Sequence, residues 1–207
     1  TRMTVRHALQ ELVYENLIVR QKGRGSFVSE MGARVTSPID TRECHSFEEQ
    51  VAVTGAVVTF RPLSFGLVEA DKEVASTLRI AAGEDVFRLL RLRLIGDRPV
   101  CLEIRHIPTE LAARVTGEML ARRSVHDFLS EIVGHRVPTI AVTVVAEKAD
   151  AETARLLKVE EGDAMIVREN TYLDAAGRPI QCGRSVFPGD IRLEYVLGKH
   201  ATPISGD

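Results

Sequence analysis

Apolar side chains follow a helical period at the start of the chain and shorter, strand-like runs after it. Residues 3–15 predict an amphipathic helix that ends at Asn16 in a left-handed conformation. Residues 17–20 and 26–28 predict two short strands. The intervening QKGRG supplies glycine for a tight turn and cations for its tip. The first 28 residues therefore predict one helix followed by a β-hairpin.

The rest of the chain alternates short helical patterns with longer strand patterns. Residues 29–45 lack a period and contain glycine and proline, which predicts a linker. Ser46 and Glu49 have capping-box spacing and predict the start of a helix over 46–54. Further strands are predicted over 56–69, 85–95, 98–107, 137–148, 163–173 and 179–187, and helices over 71–78, 109–116, 124–133 and 150–157.

An internal repeat organises this body. Residues 78–108 parallel residues 157–188, with Gly83 matching Gly162 and an Arg-Pro pair in the turn of each hairpin. Two copies are too few for a solenoid. Two helix-plus-hairpin units predict a pseudo-symmetric α+β domain around an antiparallel sheet.

Composition excludes several classes of protein. The 207 residues are 44% apolar and 27% charged, a globular balance, and no apolar run reaches the ~18 residues of a membrane span. The N-terminus lacks an apolar signal core, so we expect a cytoplasmic protein with no membrane partner. Cys44, Cys101 and Cys182 have no CxxC spacing and are expected to be free thiols.

No catalytic or metal-binding pattern stands out. His106, His126 and His135 lie on different predicted elements without metal-ligand spacing, which favours surface or packing roles. No GxSxG, P-loop or GxGxxG occurs in a fitting context. We therefore expect a protein without enzymatic activity, cofactor or metal.

Charge is distributed unevenly along the chain. Residues 1–28 carry five cations against two acids, a net charge of +3, whereas the whole chain carries −2. A basic segment joined to an acidic body predicts a nucleic-acid contact at one end. A helix with Arg and Thr at its start, followed by a basic-tipped hairpin, is typical of a winged helix-turn-helix, whose helix enters the major groove.

Residues 1–28 closely resemble the recognition helix and wing of GntR-family bacterial transcription regulators. The resemblance implies base and phosphate contacts in double-stranded DNA by two groups of residues. They are Arg2, Thr4 and Arg6 on the helix, and Lys22, Gly23 and Arg24 at the wing tip. A winged helix has two earlier helices, so we expect this segment to be an incomplete domain, poorly ordered and impaired in DNA affinity.

Residues 46–197 resemble the UTRA effector-binding domain of the HutC subfamily, with 198–207 as a tail. This implies a chorismate-lyase-like fold, a six-stranded antiparallel sheet with helices that holds a ligand between its repeated halves. Fold class is therefore α+β, a partial winged helix followed by a UTRA domain.

Two arginines are the leading anion-binding candidates. Arg91 and Arg93 alternate with leucines and share one face of a strand, where forked guanidinium groups suit phosphate or carboxylate. A solvated face paired with acids is the alternative, while the resemblance implies that the pair holds a phosphate. For Glu103, on the partner strand, the resemblance implies a contact to sugar hydroxyls, and a cross-strand ion pair with Arg91 or Arg93 is the alternative.

Further effector contacts are expected at helix starts and on the second repeat. Ser124 is an N-cap candidate whose helix start also suits an anion, and the same argument applies to Ser46 and Phe47. His126, Gln181 and Phe187 complete the expected set. The resemblance places Gln181 where sugar-responsive relatives often carry Glu, and Phe187 where they often carry Tyr. These differences argue against an amino-sugar phosphate and leave a smaller anion open.

These observations predict a homodimeric, ligand-responsive transcription repressor that binds a palindromic operator and a small anionic effector. Two alternatives stay open. The body could act as a dimerisation module without an effector, or as an enzyme like chorismate lyase.

Overall fold

The computed structural model describes residues 3–5, 8–9, 18–21, 25–28, 57–191 and 193. The strands in these ranges are β1 (Ile18–Gln21), β2 (Gly25–Val28), β3 (Val58–Glu69), β4 (Asp85–Ile95), β5 (Arg98–Pro108), β6 (Thr139–Lys148), β7 (Ala164–Leu173) and β8 (Pro179–Pro188). The helices with described bounds are α1 (Lys72–Leu78), α2 (Thr109–Ala112), α3 (Gly117–Arg122), α4 (Val125–Val133) and α5 (Ala151–Leu157).

The N-terminal hairpin predicted from sequence is present. β1 pairs antiparallel with β2, with Ile18 opposite Val28 and Gln21 opposite Gly25. Residues 3–5 and 8–9 are helical, in agreement with the predicted first helix where that helix is described. The turn at 22–24, the linker over 29–45, the helix predicted over 46–54 and the tail over 198–207 lie outside the described residues.

Six strands form one sheet in the order β3-β4-β5-β8-β7-β6, and every neighbouring pair is antiparallel. The six-stranded antiparallel sheet implied by the sequence is therefore confirmed. β5 from the first repeat pairs with β8 from the second at the centre of the sheet. The junction between the two repeats thus runs through the middle of the domain.

The repeat extends to the caps of the two equivalent helices. Asp71 caps α1 and Asp150 caps α5, each accepting a hydrogen bond from the backbone N–H three residues on. Arg79 and Lys158 end these helices in the same left-handed conformation, at φ 58° and ψ 43°. Identical cap geometry at matching positions confirms the pseudo-symmetry predicted from the paired hairpins.

Helices cover both faces of the sheet. Face A, as we call the side under α2, α3 and α4, contains a core with Leu89, Phe128 and Tyr172 among its buried members. Face B, the opposite side, is covered by α1 at Val86 and Cys182 and by α5 at Leu92, Leu102 and Val167. No helix among the described residues is long and apolar enough to cross a membrane.

One helical prediction needs correction. The helix expected over 109–116 ends at Ala112, and the separate helix α3 follows at Gly117. Thr116 causes the restart, because its side chain accepts a hydrogen bond from the backbone N–H of Met119 and caps α3. A threonine followed by glycine and glutamate was the available signal for a new helix start.

Candidate functional site

A cluster of buried charges lies on face A where the two repeats meet. Arg91 on β4 lies directly opposite Glu103 on β5 and donates from Nε to Glu103 Oε2 at 2.6 Å. Arg93 donates from Nη2 to Glu103 Oε1 at 2.8 Å. Arg91 and Glu103 are fully buried, and Arg93 is 5% exposed. The same-face placement predicted for the two arginines is present.

A third arginine completes what we call the arginine cluster, which consists of Arg91, Arg93, Arg105 and Glu103. Arg105 Nη2 donates to Glu103 Oε1 at 2.9 Å and to Ser185 Oγ at 2.5 Å. Its Nη1 donates to the carbonyls of Ile104 and Arg184. One carboxylate thus organises three guanidinium groups.

Electrostatics keep Glu103 ionised despite its burial. Desolvation alone would raise the pKa of this carboxyl, but the charges of Arg91, Arg93 and Arg105 together outweigh it. They lower the pKa of Glu103 to about 2. The carboxylate is therefore an anion at any physiological pH, and it holds the arginines in place.

Arg91 also connects the sheet to the start of α4. Its Nη1 donates to the carbonyls of Leu120 at 3.0 Å and Arg123 at 2.8 Å. The next residue, Ser124, caps α4 by accepting a hydrogen bond from the Asp127 N–H at 3.0 Å. Two features that attract anions, a guanidinium group and a helix N-terminus, are thus neighbours.

These positions bear on the alternatives left open by the sequence. For the two arginines, the solvated part of the alternative is wrong, because both side chains are buried, whereas their pairing with an acid is confirmed at Glu103. The phosphate contact implied for this pair stays a prediction. The cross-strand ion pair of Glu103 is confirmed, and it forms with both arginines at once. Both oxygens of Glu103 are engaged by arginines, which reduces its capacity to accept from a sugar hydroxyl.

Arg105 and Ser185 were not among the predicted site residues. The strand period does predict that Arg105 shares the face of Glu103 on β5, but it does not predict that Arg105 joins the cluster. Ser185 lies opposite Glu103 on β8. No local pattern marks that residue, because its role depends on the pairing of two strands about 80 residues apart.

The other predicted effector residues do not all converge. Ser124 and His126 are buried at the start of α4, and the His126 ring lies 6.0 Å from the Tyr172 ring in an edge-on arrangement. Gln181 is fully buried on β8, opposite Tyr172. Phe187 instead packs in a separate apolar cluster with Cys101 and Ile191. Ser46 and Phe47 lie outside the described residues.

The predicted DNA-contacting residues are described only at Thr4, which is helical and exposed. Arg2, Arg6 and the predicted wing-tip residues Lys22, Gly23 and Arg24 lie outside the described residues. The DNA contacts therefore stay predictions.

Thiol chemistry finds no support in the described domain. Burial raises the pKa of Cys182 to about 12, so its thiolate is scarce at neutral pH. His106 lies directly opposite Cys182, and burial, followed by the charge of Arg88, lowers the pKa of this histidine. Both Cys101 and Cys182 are buried. Within the described ranges, no three or more His, Cys, Asp or Glu side chains are grouped to hold a metal ion.

Fold and site together define an α+β domain with buried cations on one face of its sheet. The family model described as "UTRA domain" matches residues 54–191. The chain belongs to the UTRA domain family.

Named relatives agree with this assignment. The HTH-type transcriptional repressor NagR of Bacillus subtilis (strain 168) is 29% identical over 191 residues, 92% of this chain and 76% of that protein. The histidine utilization repressor of Pseudomonas putida is 27% identical over 205 residues, 96% of this chain and 78% of that protein. The resemblance to GntR-type regulators of the HutC subfamily is confirmed by these matches.

A solved structure shows the same fold. PhnF from Mycobacterium smegmatis superimposes with a TM-score of 0.78 at 23% identity, covering 97% of this chain and 86% of that chain. The α+β architecture expected from the sequence is thus confirmed by comparison with a known structure.

Proposed function

We propose that the chain is a ligand-responsive, homodimeric transcription repressor whose UTRA domain binds a small anion, such as a phosphorylated metabolite, and thereby alters operator binding. Its relatives named as repressors support the regulatory part of this proposal. The high pKa of the Cys182 thiol supports a role without thiol catalysis.

The proposal that the domain binds an anionic effector rests on the hydrogen bond from Arg91 to the Arg123 carbonyl. Arg123 immediately precedes Ser124, the N-cap of α4. This hydrogen bond brings a buried guanidinium group beside the backbone N–H groups of a nine-residue helix. The guanidinium group and the helix N–H groups can both donate hydrogen bonds to an oxyanion, and Arg93 adds a second guanidinium group on the same face of the sheet. Ser46 and Phe47 would add donors from the preceding segment.

Anion binding would act on DNA through the linker over 29–45. The ligand would tie α4 to the sheet and favour one arrangement of the preceding segment over another. It can shift that equilibrium only by its differential affinity for the two arrangements. Because a dimeric regulator reads two half-sites at fixed spacing, reordering the linkers would change the operator affinity.

On DNA, Arg2, Thr4 and Arg6 would contact the major groove, and Lys22, Gly23 and Arg24 would contact phosphates or the minor groove. The exposure of Thr4 is consistent with this role. The substitution Arg6→Ala should weaken operator binding substantially. Unchanged operator affinity at matched salt would remove the recognition helix from the proposal.

Thermal unfolding tests the anion site. We would measure Tm with phosphate, sulfate, phosphonates, sugar phosphates and small carboxylates, for the parent chain, Arg93→Gln and Arg98→Gln. Arg93→Gln leaves Glu103 paired with Arg91 and Arg105. Arg98→Gln is the matched control, because Arg98 lies on the same β4–β5 hairpin and its ion pair with Asp190 is exposed. A ligand at ~100 times its Kd adds about 2.7 kcal/mol, which is roughly 5–10 °C at this size.

The expected result is a rise for one class of anion in the parent and in Arg98→Gln, and a much smaller rise in Arg93→Gln. No rise with any anion, in a chain that is dimeric by analytical ultracentrifugation, would favour the dimerisation module instead. Consumption of chorismate by the chain would favour the lyase.

A further inference from the structure

We propose that the anion site continues along face A to a second subsite over Gly183, where Arg105 and Gln181 bind a carboxylate that carries a neighbouring hydroxyl group. This inference rests on the proposed function, since the same effector would occupy both subsites. It names the effector class as a small hydroxy acid with a second anionic group.

Arg105 supplies the first donor of this subsite. It is 1% exposed, and its two terminal nitrogens are engaged by Glu103, Ser185 and backbone carbonyls. Its Nε is buried and has no hydrogen-bond partner in the described structure. An unsatisfied donor inside a protein is costly and calls for an explanation such as a ligand.

Gln181 supplies a second donor and an acceptor. The side chain is fully buried, and neither its amide nitrogen nor its amide oxygen has a hydrogen-bond partner in the part of the chain that the structure describes. A leucine would fill similar space without leaving polar atoms unsatisfied. A buried amide with both ends unused is therefore poorly explained by packing alone.

Strand register brings these groups to one place. Gly183 on β8 lies opposite Arg105 on β5 and opposite Asn170 on β7. Gln181 precedes Gly183 by two residues and shares its face, so Arg105 and Gln181 are diagonal neighbours across the strand pair. Such neighbours are about 7–8 Å apart at Cα, within reach of one small ligand group. Gly183 lies between them, where its missing side chain lets β8 approach the β5 backbone closely.

The chemistry of the unused atoms specifies the ligand group. Arg105 Nε and the Gln181 amide nitrogen are donors, which a carboxylate can accept together. The Gln181 oxygen is an acceptor, which a hydroxyl next to that carboxylate can satisfy. An acid at position 181 would repel this group, whereas the neutral amide does not. The first subsite, at Arg91, Arg93 and Ser124, would hold the other anion.

Calorimetric titration with two matched pairs of probes tests this subsite. The first pair is 3-phosphoglycerate and glycerol 3-phosphate, of which only the former has a carboxylate. The second pair is malate and 3-hydroxybutyrate, of which only malate has two carboxylates. This second pair tests whether two anionic groups that lie closer together can occupy both subsites. Each additional charge-assisted hydrogen bond should lower Kd about tenfold. In at least one pair, the compound with both anionic groups should bind about tenfold tighter or more.

Variants at position 181 separate the subsite from the rest of the fold. Gln181→Leu should reduce the preference for the compound with both anionic groups, and Gln181→Glu should abolish it. Cys182→Ala is the matched control, because Cys182 is the next residue on the strand and packs on face B. This control should keep the full preference.

The outcomes distinguish the two proposals. Equal affinity within both pairs, together with binding that Arg93→Gln abolishes, would overturn the second subsite and leave the anion site standing. An undiminished preference in Gln181→Leu and Gln181→Glu would also overturn the second subsite. Binding of none of the four probes, together with no anion-dependent rise in Tm, would overturn both.

Discussion

Glu103 lies directly across the β4–β5 pair from Arg91 and accepts a 2.6 Å hydrogen bond from its Nε, with both side chains fully buried. Because Arg93 and Arg105 bond the other carboxylate oxygen, the three guanidinium groups depend on one acid. Buried charges tolerate the loss of a partner poorly, since the remaining charge keeps its desolvation penalty. The cluster therefore links stability to the site that we propose for the effector.

Replacing Glu103 by Gln should destabilise the chain by about 3–5 kcal/mol, because three buried cations lose their common counter-ion. Urea denaturation followed by circular dichroism would measure the loss. Glu118→Gln is the control, since its ion pair with Arg122 is 3.7 Å long and exposed; that change should cost less than about 0.5 kcal/mol. A similar small cost for both variants would show that Glu103 does not organise the cluster.

The same carboxyl predicts a pH dependence. Folding lowers the pKa of Glu103 from 4.5 to about 2, so the contribution of its carboxylate to the free energy of unfolding is fully present above pH 4.5. That contribution is lost as the pH falls from 4.5 through 2. Urea midpoints measured against pH should show the advantage of the parent over Glu103→Gln constant at neutral pH and shrinking in this acid range. A constant difference throughout would contradict the low pKa.

Gly183 is required by the close approach of β8 to β5. Its φ is 155°, and a Cβ there would lie 2.1 Å from the Ile104 carbonyl oxygen and 2.8 Å from Arg105 Cα. Gly183→Ala should therefore cost about 3 kcal/mol or more, as the two repeats are pushed apart. At Gly66 an added Cβ meets nothing within 4 Å, so Gly66→Ala should stay within about 0.5 kcal/mol. Equal Tm values for the two variants would refute this requirement.

Cys182 should be chemically inert in the folded protein. Burial raises the pKa of its thiol to about 12, and the residue packs beneath α1 with Val74 and Val86. Brief treatment with iodoacetamide at pH 8, followed by peptide mass spectrometry, should leave Cys182 unmodified in the native chain and label it in urea. Equal labelling in both conditions would mean that the thiol is accessible and that face B opens readily.

Local patterns were sufficient for most elements of the fold. Strand alternation and Gly-containing turns identified both long hairpins, and Asp71, Ser124 and Asp150 mark helix starts that the structure caps through their side chains. Helix α3 was not predicted, because the pattern over 109–116 predicts Thr116 as the end of one helix, whereas its side chain caps the next. Boundaries of this kind depend on a single side-chain hydrogen bond.

The sequence by itself determined the α+β class, the internal repeat and the shared face of Arg91 and Arg93, because period, turn chemistry and alternation are properties of neighbouring residues. Only the tertiary structure decided that these two arginines are buried, that Glu103 binds both of them together with Arg105, and that the Gln181 amide has no hydrogen-bond partner among the described residues. The bonds from Arg91 and Arg93 to Glu103 form within the β4–β5 hairpin, whereas the contact of Arg105 with Ser185 needs the pairing of β5 with β8, which joins segments about 80 residues apart. Local sequence does not encode that pairing; packing of the two repeats around a common core does.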